Sequence, residues 1–582
     1  MLTNAVVIDS ENYLDHSSFF NGSYSYKARK FDVDFKKKRH AWIVHNVDDI
    51  GLVKKVSRCS IVIAAFSYNN GQEICSSLNS EISKYIKNKQ LFFVFGSNIQ
   101  EQAELIAGII DVDKFDGWQP VLNKSDLKYE ADYLRDLYKY LGEKFNIKNL
   151  NKSTNLTMIK YFIRNALINA PLVLNNSSIA NLKGVALNRP VLIVATGPSL
   201  NKQLPILAQY QNIYTIVAVD TAYPILEKNG IIPDYLIGLD PTSIPSWAAN
   251  TLPVQTVFAV DVGCAPGLVW SHNKNHLFSA SFDPCQWVLD RVGVNVDSMA
   301  TGGSVATSAF NFARHFDGQP IVLIGQDLAL TGGKDHADGY MFTYSSEVFD
   351  HSSHTGFNVE GYYGDSVRTE RQLLYYKNWY EQTIKSNPKL MVINATEGGA
   401  KISGCLQIPF RLVCEEFAKM DYVKTTSNVD VLTVLSNDHL VHLISQVKFL
   451  IRDAQEYIKL AKLGSKVIEQ KNIRPLDHTF DDIDEINGKI LNFDRVVRLV
   501  VDIFSSRFMD NIRKETNQET KNKSLDKALD KYMRIYQEIQ ISGAKSVSML
   551  KRILKFYVDL QKKGTYTIDL VNKLMKDKGI QF

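Results

Sequence analysis

VLIVATGPSL occupies residues 191–200. A run of β-formers enters Thr196, and Gly197, Pro198 and Ser199 then turn the chain toward a helix. A run with no polar alternation predicts a strand covered on both faces, the habit of a parallel sheet. The corner after it has two readings. It turns the chain and nothing more, or it seats an anion. Gly197 allows close backbone approach, and Pro198 has no N–H and suits a first helical turn. Ser199 can cap the helix or donate its hydroxyl. The amides of the first turn and the positive end of the helix dipole favour phosphate. The stretch is neither GxGxxG nor GxxxxGKS, so neither the dinucleotide fingerprint nor the P-loop is present.

The pattern repeats outward from this corner. YTIVAVD (214–220), YLIGLD (235–240), VQTVFAV (254–260), HLFSA (276–280), PIVLIGQD (320–327) and LMVINAT (390–396) read as further buried strands. Helical segments such as SVATSAFNFARHF (304–316) lie between several of them. The expected architecture is α/β, a doubly wound and mostly parallel Rossmann-like sheet, which binds ligands beyond the carboxyl ends of its strands. Polar and glycine clusters follow these strands, so they should converge on one edge. A smaller α/β domain is expected over 1–150: SIVIAAF (60–66), a helix over 71–88 and LFFVFGS (91–97) make a βαβ unit. Residues 151–425 form the central domain, with a helical start over 151–186. Residues 426–582 read as all-α; the helix over 438–464 carries one apolar face, with Asp438 as its N-cap and Gly464 as its stop.

Composition sets the limits. The 582 residues are too many for one ordinary core. A net charge of +5 is small for this length and argues against a nucleic-acid binder. Six scattered cysteines show no CxxC spacing, which suits reduced thiols in a cytoplasmic protein. No signal-peptide pattern and no apolar run of membrane-spanning length is visible, so no membrane partner is expected.

Three further stretches carry candidate chemistry. MATGGSVATSAF (299–310) is a second helix start, with Thr301, Gly302, Gly303 and Ser304 as its flexible, hydroxyl-bearing entry. IGQDLALTGGKDHADG (324–339) places Gln326 and Asp327 at a strand end and His336 in a glycine-rich loop. Imidazole titrates near neutrality and suits a general base; the alternative is a surface histidine. Asp220 and Asp240 end strands, where they bind ribose hydroxyls or a base, or only form turns. NATEGGA (394–400) sets Glu397 beside two glycines, either facing a ligand or shaping a turn. No DxD pattern is present in this set.

The ordered series ATGPSL, VAVDTAYPIL, GIIPDYLIGLDP, TGGSVA, GQDLAL, HADG and NATEGGAKISG resembles the motility accessory factor (Maf) family of bacterial flagellin glycosyltransferases. The likeness covers about residues 150–425 by motif and the whole chain by layout. The central domain is also similar to the archaeal pterin pyrophosphokinases and to the bacterial sialyltransferases that use CMP-sialic acid. The resemblance implies a CMP-activated nonulosonic acid of pseudaminic or legionaminic type as donor, and flagellin Ser or Thr hydroxyls as acceptor, in the service of motility. It implies no required cofactor; a divalent metal stays open but is not indicated. Gly197, Pro198, Ser199 and the 301–304 turn would hold the donor with Asp220, Asp240 and Gln326. His336 is the first choice of base, with Asp327 and Glu397 behind it. Two other readings stay open: a nucleotide-dependent pyrophosphokinase and a non-catalytic flagellin-binding adaptor. Oligomeric state is left undetermined.

Overall fold

The computed structural model describes residues 5–7, 40–45, 62–67, 91–96, 99–110, 117–123, 131–175, 177–186, 189–242, 252–253, 255–271, 276–339, 356–420, 436–470, 476–505, 525–563 and 568–578. The expected helix over 71–88 lies outside them. The chain forms two compact units. One contains Met1–Thr157, Gly464–Thr479 and Ser505–Glu538; the other contains Met158–Leu463, Phe480–Phe504 and Ile539–Phe582.

The first unit holds five strands: β1 (Ala5–Val7), β2 (His40–His45), β3 (Val62–Ser67), β4 (Leu91–Gly96) and β5 (Gly117–Asn123). Their order is β1-β5-β2-β3-β4. β3 and β4 pair in parallel, as the βαβ reading requires, and only β1 is antiparallel. Helix α1 (Ile99–Ile109) and the start of α2 (Ala131–Val173) cover the sheet. Ile106, Leu137, Tyr138 and Leu141 close a core on Ala41, Ile43 and Val94.

The second unit is built on a ten-stranded sheet. Its strands are β6 (Ser177–Ser178), β7 (Val191–Val194), β8 (Thr215–Val219), β9 (Tyr235–Gly238), β10 (Val257–Asp261), β11 (His276–Ala280), β12 (Asp297–Ser298), β13 (Ile321–Ile324), β16 (Val392–Asn394) and β17 (Leu406–Gln407); β14 (Phe357–Glu360) and β15 (Ser366–Thr369) form a separate antiparallel hairpin. The order is β12-β11-β10-β9-β8-β7-β13-β16-β17, with β6 beside β11, and every pairing is parallel. β7, β9, β10 and β13 are buried along their whole length, because helices cover both faces. The chain winds from β7 toward β8 on one side and toward β13 on the other. The switch point therefore falls between β7 and β13.

The helices of this unit are α3 (Leu200–Tyr210), α4 (Tyr223–Lys228), α5 (Pro266–Val269), α6 (Asp283–Arg291), α7 (Val305–Arg314), α8 (Arg371–Lys385), α9 (Phe410–Phe417) and α12 (Arg495–Asp502), with most of α10 (Asn437–Glu469) and α11 (Leu476–Leu491), much of α13 (Leu525–Lys563), and α14 (Ile568–Asp577). Helix α7 lies on the sheet, where Phe312 meets Tyr235 with ring centroids 5.5 Å apart. The C-terminal half of α2 is pinned to the loops after β9 and β10. Asn165 donates to the carbonyls of Pro241 (2.8 Å) and Gly263 (3.0 Å). Asn169 donates to those of Val262 and Cys264, each at 3.0 Å. Trp270 meets Phe556 of α13 edge to face at 5.8 Å.

Three local expectations change. Gly464 does not stop α10, which runs to Glu469. It sits under the Tyr536 ring of α13, at a distance that leaves no room for a Cβ; the glycine serves a helix crossing. The helix expected from 151 begins at Ala131, ends at Val173, and is followed by the short β6 strand. Ser199 makes no side-chain cap on α3. Among the described residues, no helix is long and apolar enough to cross a membrane.

Candidate active site

A cavity of about 540 Å³ opens at the carboxyl ends of β7, β8, β9 and β13. It spans the switch point, where an open parallel sheet leaves a crevice between diverging loops. The volume falls within the roughly 300–1,000 Å³ usual for small-molecule sites.

The floor is a crossing of two backbones. The Gly197 amide donates to the Gly325 carbonyl at 2.7 Å. A Cβ on Gly197 would stand 2.5 Å from that carbonyl and would overlap the Asp327 carboxylate. Gly399 presses as closely on the Asp327 backbone. The Asp327 carboxylate, 2% exposed, accepts from Ser199 Oγ at 2.7 Å, from the Ser199 amide at 3.3 Å and from Thr331 Oγ1 at 2.5 Å. Burial pushes its pKa up, and these donors pull it back. The glycine of the opening stretch thus makes room for an internal carboxylate, and the serine feeds that carboxylate.

One wall carries Asp220 and Asp240. Asp220 is buried and accepts from the Thr221 amide at 2.8 Å. Desolvation pushes its carboxyl up to about 7; the Thr221 amide lowers it and the nearby Asp240 raises it. Asp240 accepts from the amide and hydroxyl of Thr242, at 2.7 and 2.9 Å. The Thr196 and Thr221 hydroxyls meet at 3.3 Å beside them.

The opposite wall is the first turn of α7. Ser304 is its N-cap and forms a reciprocal capping box with Thr307. Ser304, Val305 and Ala306 line the cavity, while Thr301, Gly302 and Gly303 do not. Those three shape the turn. Thr301 Oγ1 accepts from the Gly303 amide at 3.2 Å, and Gly303 takes φ 90°. Gln326 lines the floor, with its amide oxygen 3.0 Å from the Tyr380 hydroxyl.

The roof is the loop over 331–339. The Ala337 amide donates to the Thr196 carbonyl at 2.8 Å, which ties the loop to the end of β7. His336 lines the cavity, with Nδ1 3.3 Å from Asp335 Oδ2. A proton held on Nδ1 makes Nε2 the basic nitrogen.

Of the thirteen residues singled out in the sequence, Gly197, Asp220, Asp240, Ser304, Gln326, Asp327 and His336 line this cavity. Pro198, Ser199, Thr301, Gly302, Gly303 and Glu397 do not. Glu397 has φ 55°, and its Oε2 accepts from the Phe410 amide at 3.0 Å, so its carboxylate serves the start of α9. The structure adds residues that sequence reading passed over. Glu370, Gln372, Leu373 and Tyr376, at the start of α8, form the remaining rim. Tyr376 donates to the Gly303 carbonyl at 3.0 Å and accepts from Gln372 Nε2 at 2.6 Å. A signal was present in QLLYYKNWY (372–380), where Tyr376 and Tyr380 stand four apart on one helix face.

The lining holds five carboxylates, one imidazole and several hydroxyls, and no Lys or Arg among the described residues. Carboxylates accept from sugar hydroxyls; the α7 amides and the threonines remain for an anion.

The second unit is thus a doubly wound α/β fold with a polar switch-point cavity and long helices; the first unit is a smaller α/β fold. Residues 164–333 carry an MptE-like domain: they match the family model described as 6-hydroxymethylpterin diphosphokinase MptE-like. That segment runs from Arg164 in α2 to Gly333, three residues short of His336. The structure is similar to that of a MAf glycosyltransferase from Magnetospirillum magneticum AMB-1, with a TM-score of 0.51 and 12% identity, covering 93% of this chain and 83% of that one. Two uncharacterized proteins of Treponema pallidum (strain Nichols) are also similar. One is 28% identical over 155 residues, 26% of this chain and 68% of the relative; the other is 27% identical over 197 residues, 33% and 34% respectively. Less than two thirds of the second relative is spanned.

Proposed function

We propose that this chain is a glycosyltransferase that moves a nonulosonic acid from a CMP-activated donor onto a Ser or Thr hydroxyl of flagellin, within the cytoplasm. The observation that carries the reading is the switch-point cavity: hydroxyl-accepting carboxylates on one wall, a helix N-terminus on the other, and His336 above. The whole-chain likeness to a MAf glycosyltransferase supports the class.

In this reading Asp220, Asp240 and Glu370 accept hydrogen bonds from ribose and sugar hydroxyls. Asp220, with its carboxyl near neutrality, puts less negative charge beside the donor than an ordinary aspartate. The amides of Val305 and Ala306 face the donor phosphate and stabilise the charge that grows as CMP leaves. His336 Nε2 takes the acceptor hydroxyl proton while that oxygen attacks the anomeric carbon and CMP departs with the bonding pair. A single displacement inverts the anomeric centre. Asp327, saturated by three donors, positions the 197–199 turn.

The MptE-like match and the acidic lining favour a second reading, a nucleotide-dependent diphosphokinase. There Asp220 and Asp240 would supply oxygens to Mg²⁺ on a nucleoside triphosphate. Thermal denaturation with ligand separates the two, because a ligand that binds only the folded state raises its stability. CMP in EDTA should raise the midpoint, and ATP with Mg²⁺ should leave it in place. The reverse result establishes the diphosphokinase. His336→Ala should abolish flagellin glycan transfer, read as intact flagellin mass; an unchanged mass removes the histidine from its role.

A further inference from the structure

The lining of the switch-point cavity is rich in acceptors and holds no Lys or Arg among the described residues. An anion bound there must find neutral donors that nothing else has taken. Two sets qualify. The first is the entry of α7. Its capping box uses the Thr307 amide, and the amides of Val305 and Ala306 before it have no partner among the described residues. The second is the side chain of Gln326, which lines the cavity and is 7% exposed. Its backbone amide donates to Thr396 Oγ1 at 3.3 Å, and its Oε1 accepts from Tyr380 at 3.0 Å. Its Nε2 has no partner among the described residues. A buried donor left without a partner is costly, so Nε2 is an open position for an acceptor on a ligand.

One side chain joins the two sets. Tyr380 of α8 is fully buried and packs edge to face on Phe310 and Trp379, with ring centroids 5.2 and 5.3 Å away. Its hydroxyl lies 3.0 Å from Gln326 Oε1 and 3.1 Å from the Ala306 carbonyl. Both are acceptors, so the single hydroxyl proton is shared between the cavity floor and the first turn of α7. Burial pushes the phenol far above its ordinary range, which keeps that proton in place. With Oε1 held there, the Gln326 amide offers its nitrogen, and not its oxygen, to the cavity.

We propose that Gln326 Nε2 completes an oxyanion subsite with the Val305 and Ala306 amides, that Tyr380 positions it, and that the occupant is the phosphate of a nucleotide. This rests on the reading of the cavity as a nucleotide site and adds to it a side chain that recognises the anion. Hydrogen bonds from amides to a charged oxygen are short and strong. Neutral donors, unlike a Lys or Arg, are not drawn off by the five carboxylates of the lining.

The test uses the full-length chain in EDTA, isothermal titration calorimetry, and two pairs of probes: cytidine with CMP, and adenosine with AMP. The quantity read is the affinity ratio of nucleotide to nucleoside, which isolates the phosphate and cancels a general loss of folded protein. The parent should bind its preferred nucleotide at least about tenfold more tightly than the nucleoside. Gln326→Glu keeps an oxygen for Tyr380 but puts negative charge where Nε2 stood. It should lower the ratio by about tenfold or more and leave nucleoside binding unchanged. Tyr380→Phe keeps the ring packing and frees the amide; it should lower the ratio about threefold or more. An unchanged ratio in Gln326→Glu, or a loss shared equally by nucleoside and nucleotide, overturns the proposal while the nucleotide reading stands. An unchanged ratio in Tyr380→Phe alone overturns its positioning role. A ratio lost for AMP, with no binding of CMP, keeps the subsite and removes the CMP donor. No saturable binding of either nucleotide removes both.

Discussion

At the residue scale, the candidate site depends on two buried carboxylates with different duties. Asp327 is held by three donors, and through them it holds the 197–199 turn. Ser199→Ala removes one of the two hydroxyl donors from a buried acceptor. It should cost about 1–3 kcal/mol, seen as a lower midpoint in urea. Gly197→Ala should destabilise by a similar ~1–3 kcal/mol through overpacking against Gly325 and Asp327. Asp220 is the other kind. Its folded pKa of about 7 lies above the unfolded value of 3.8, so the folded state holds its proton more tightly. That contribution is fully present below pH about 4 and is lost as pH rises through about 7. Asp220→Asn should therefore be more stable than the parent at pH 8, by an amount on the order of a few kcal/mol. The gain should fade toward pH 4. Thermal melts of both proteins across this range check the sign. If Asp220 contacts the donor, the same variant loses affinity for CMP while gaining stability.

At the element scale, helix starts and pinning side chains set the geometry. Ser304→Ala should weaken the α7 N-terminus by about 1 kcal/mol. It should also weaken donor binding, whereas Ser304→Thr, which keeps the capping oxygen, should restore both. Asn165→Ala removes the donor of two carbonyl contacts between α2 and the loops after β9 and β10. A loss of about 2–3 kcal/mol is expected, seen by denaturant titration. The strands were legible in the sequence because burial on both faces demands unbroken apolar runs. The strand-end carboxylates followed from parallel topology. The rim at Glu370–Tyr376 was not legible, since its residues come from a helix 130 or more positions beyond Asp240, and only tertiary packing brings them back. Glu397 stays two-sided in the sequence for a local reason: a Glu-Gly-Gly turn reads the same whether its carboxylate meets a ligand or, as here, the Phe410 amide. For Ser199 the sequence left a cap and a donor side by side, because both require the same hydroxyl; the structure shows the donor and no cap.

At the scale of the molecule, most of the C-terminal helical region belongs to the compact unit of the ten-stranded sheet. Phe556 packs on Trp270, and Tyr557 donates to the Leu167 carbonyl. Arg291 pairs with Asp453 at 2.7 Å, and His439 Nδ1 lies 2.8 Å from Asn175 Oδ1. A chain ending at residue 425 should therefore expose apolar surface and fail to melt cooperatively, as read by circular dichroism and size-exclusion chromatography. A folded, monomeric 1–425 fragment would show the helices to be a detachable arm, the arrangement an adaptor would use.

The glycine crossing beneath the cavity also bears on how such a protein can be re-engineered. Positions 197, 325 and 399 admit no larger side chain, so saturation mutagenesis there should return almost nothing but inactive clones. Altered ligand preference should emerge instead at 370, 372 and 376, where substitutions change the mouth of the cavity without touching the glycine crossing. A library confined to those three codons is the place to search for altered ligand preference.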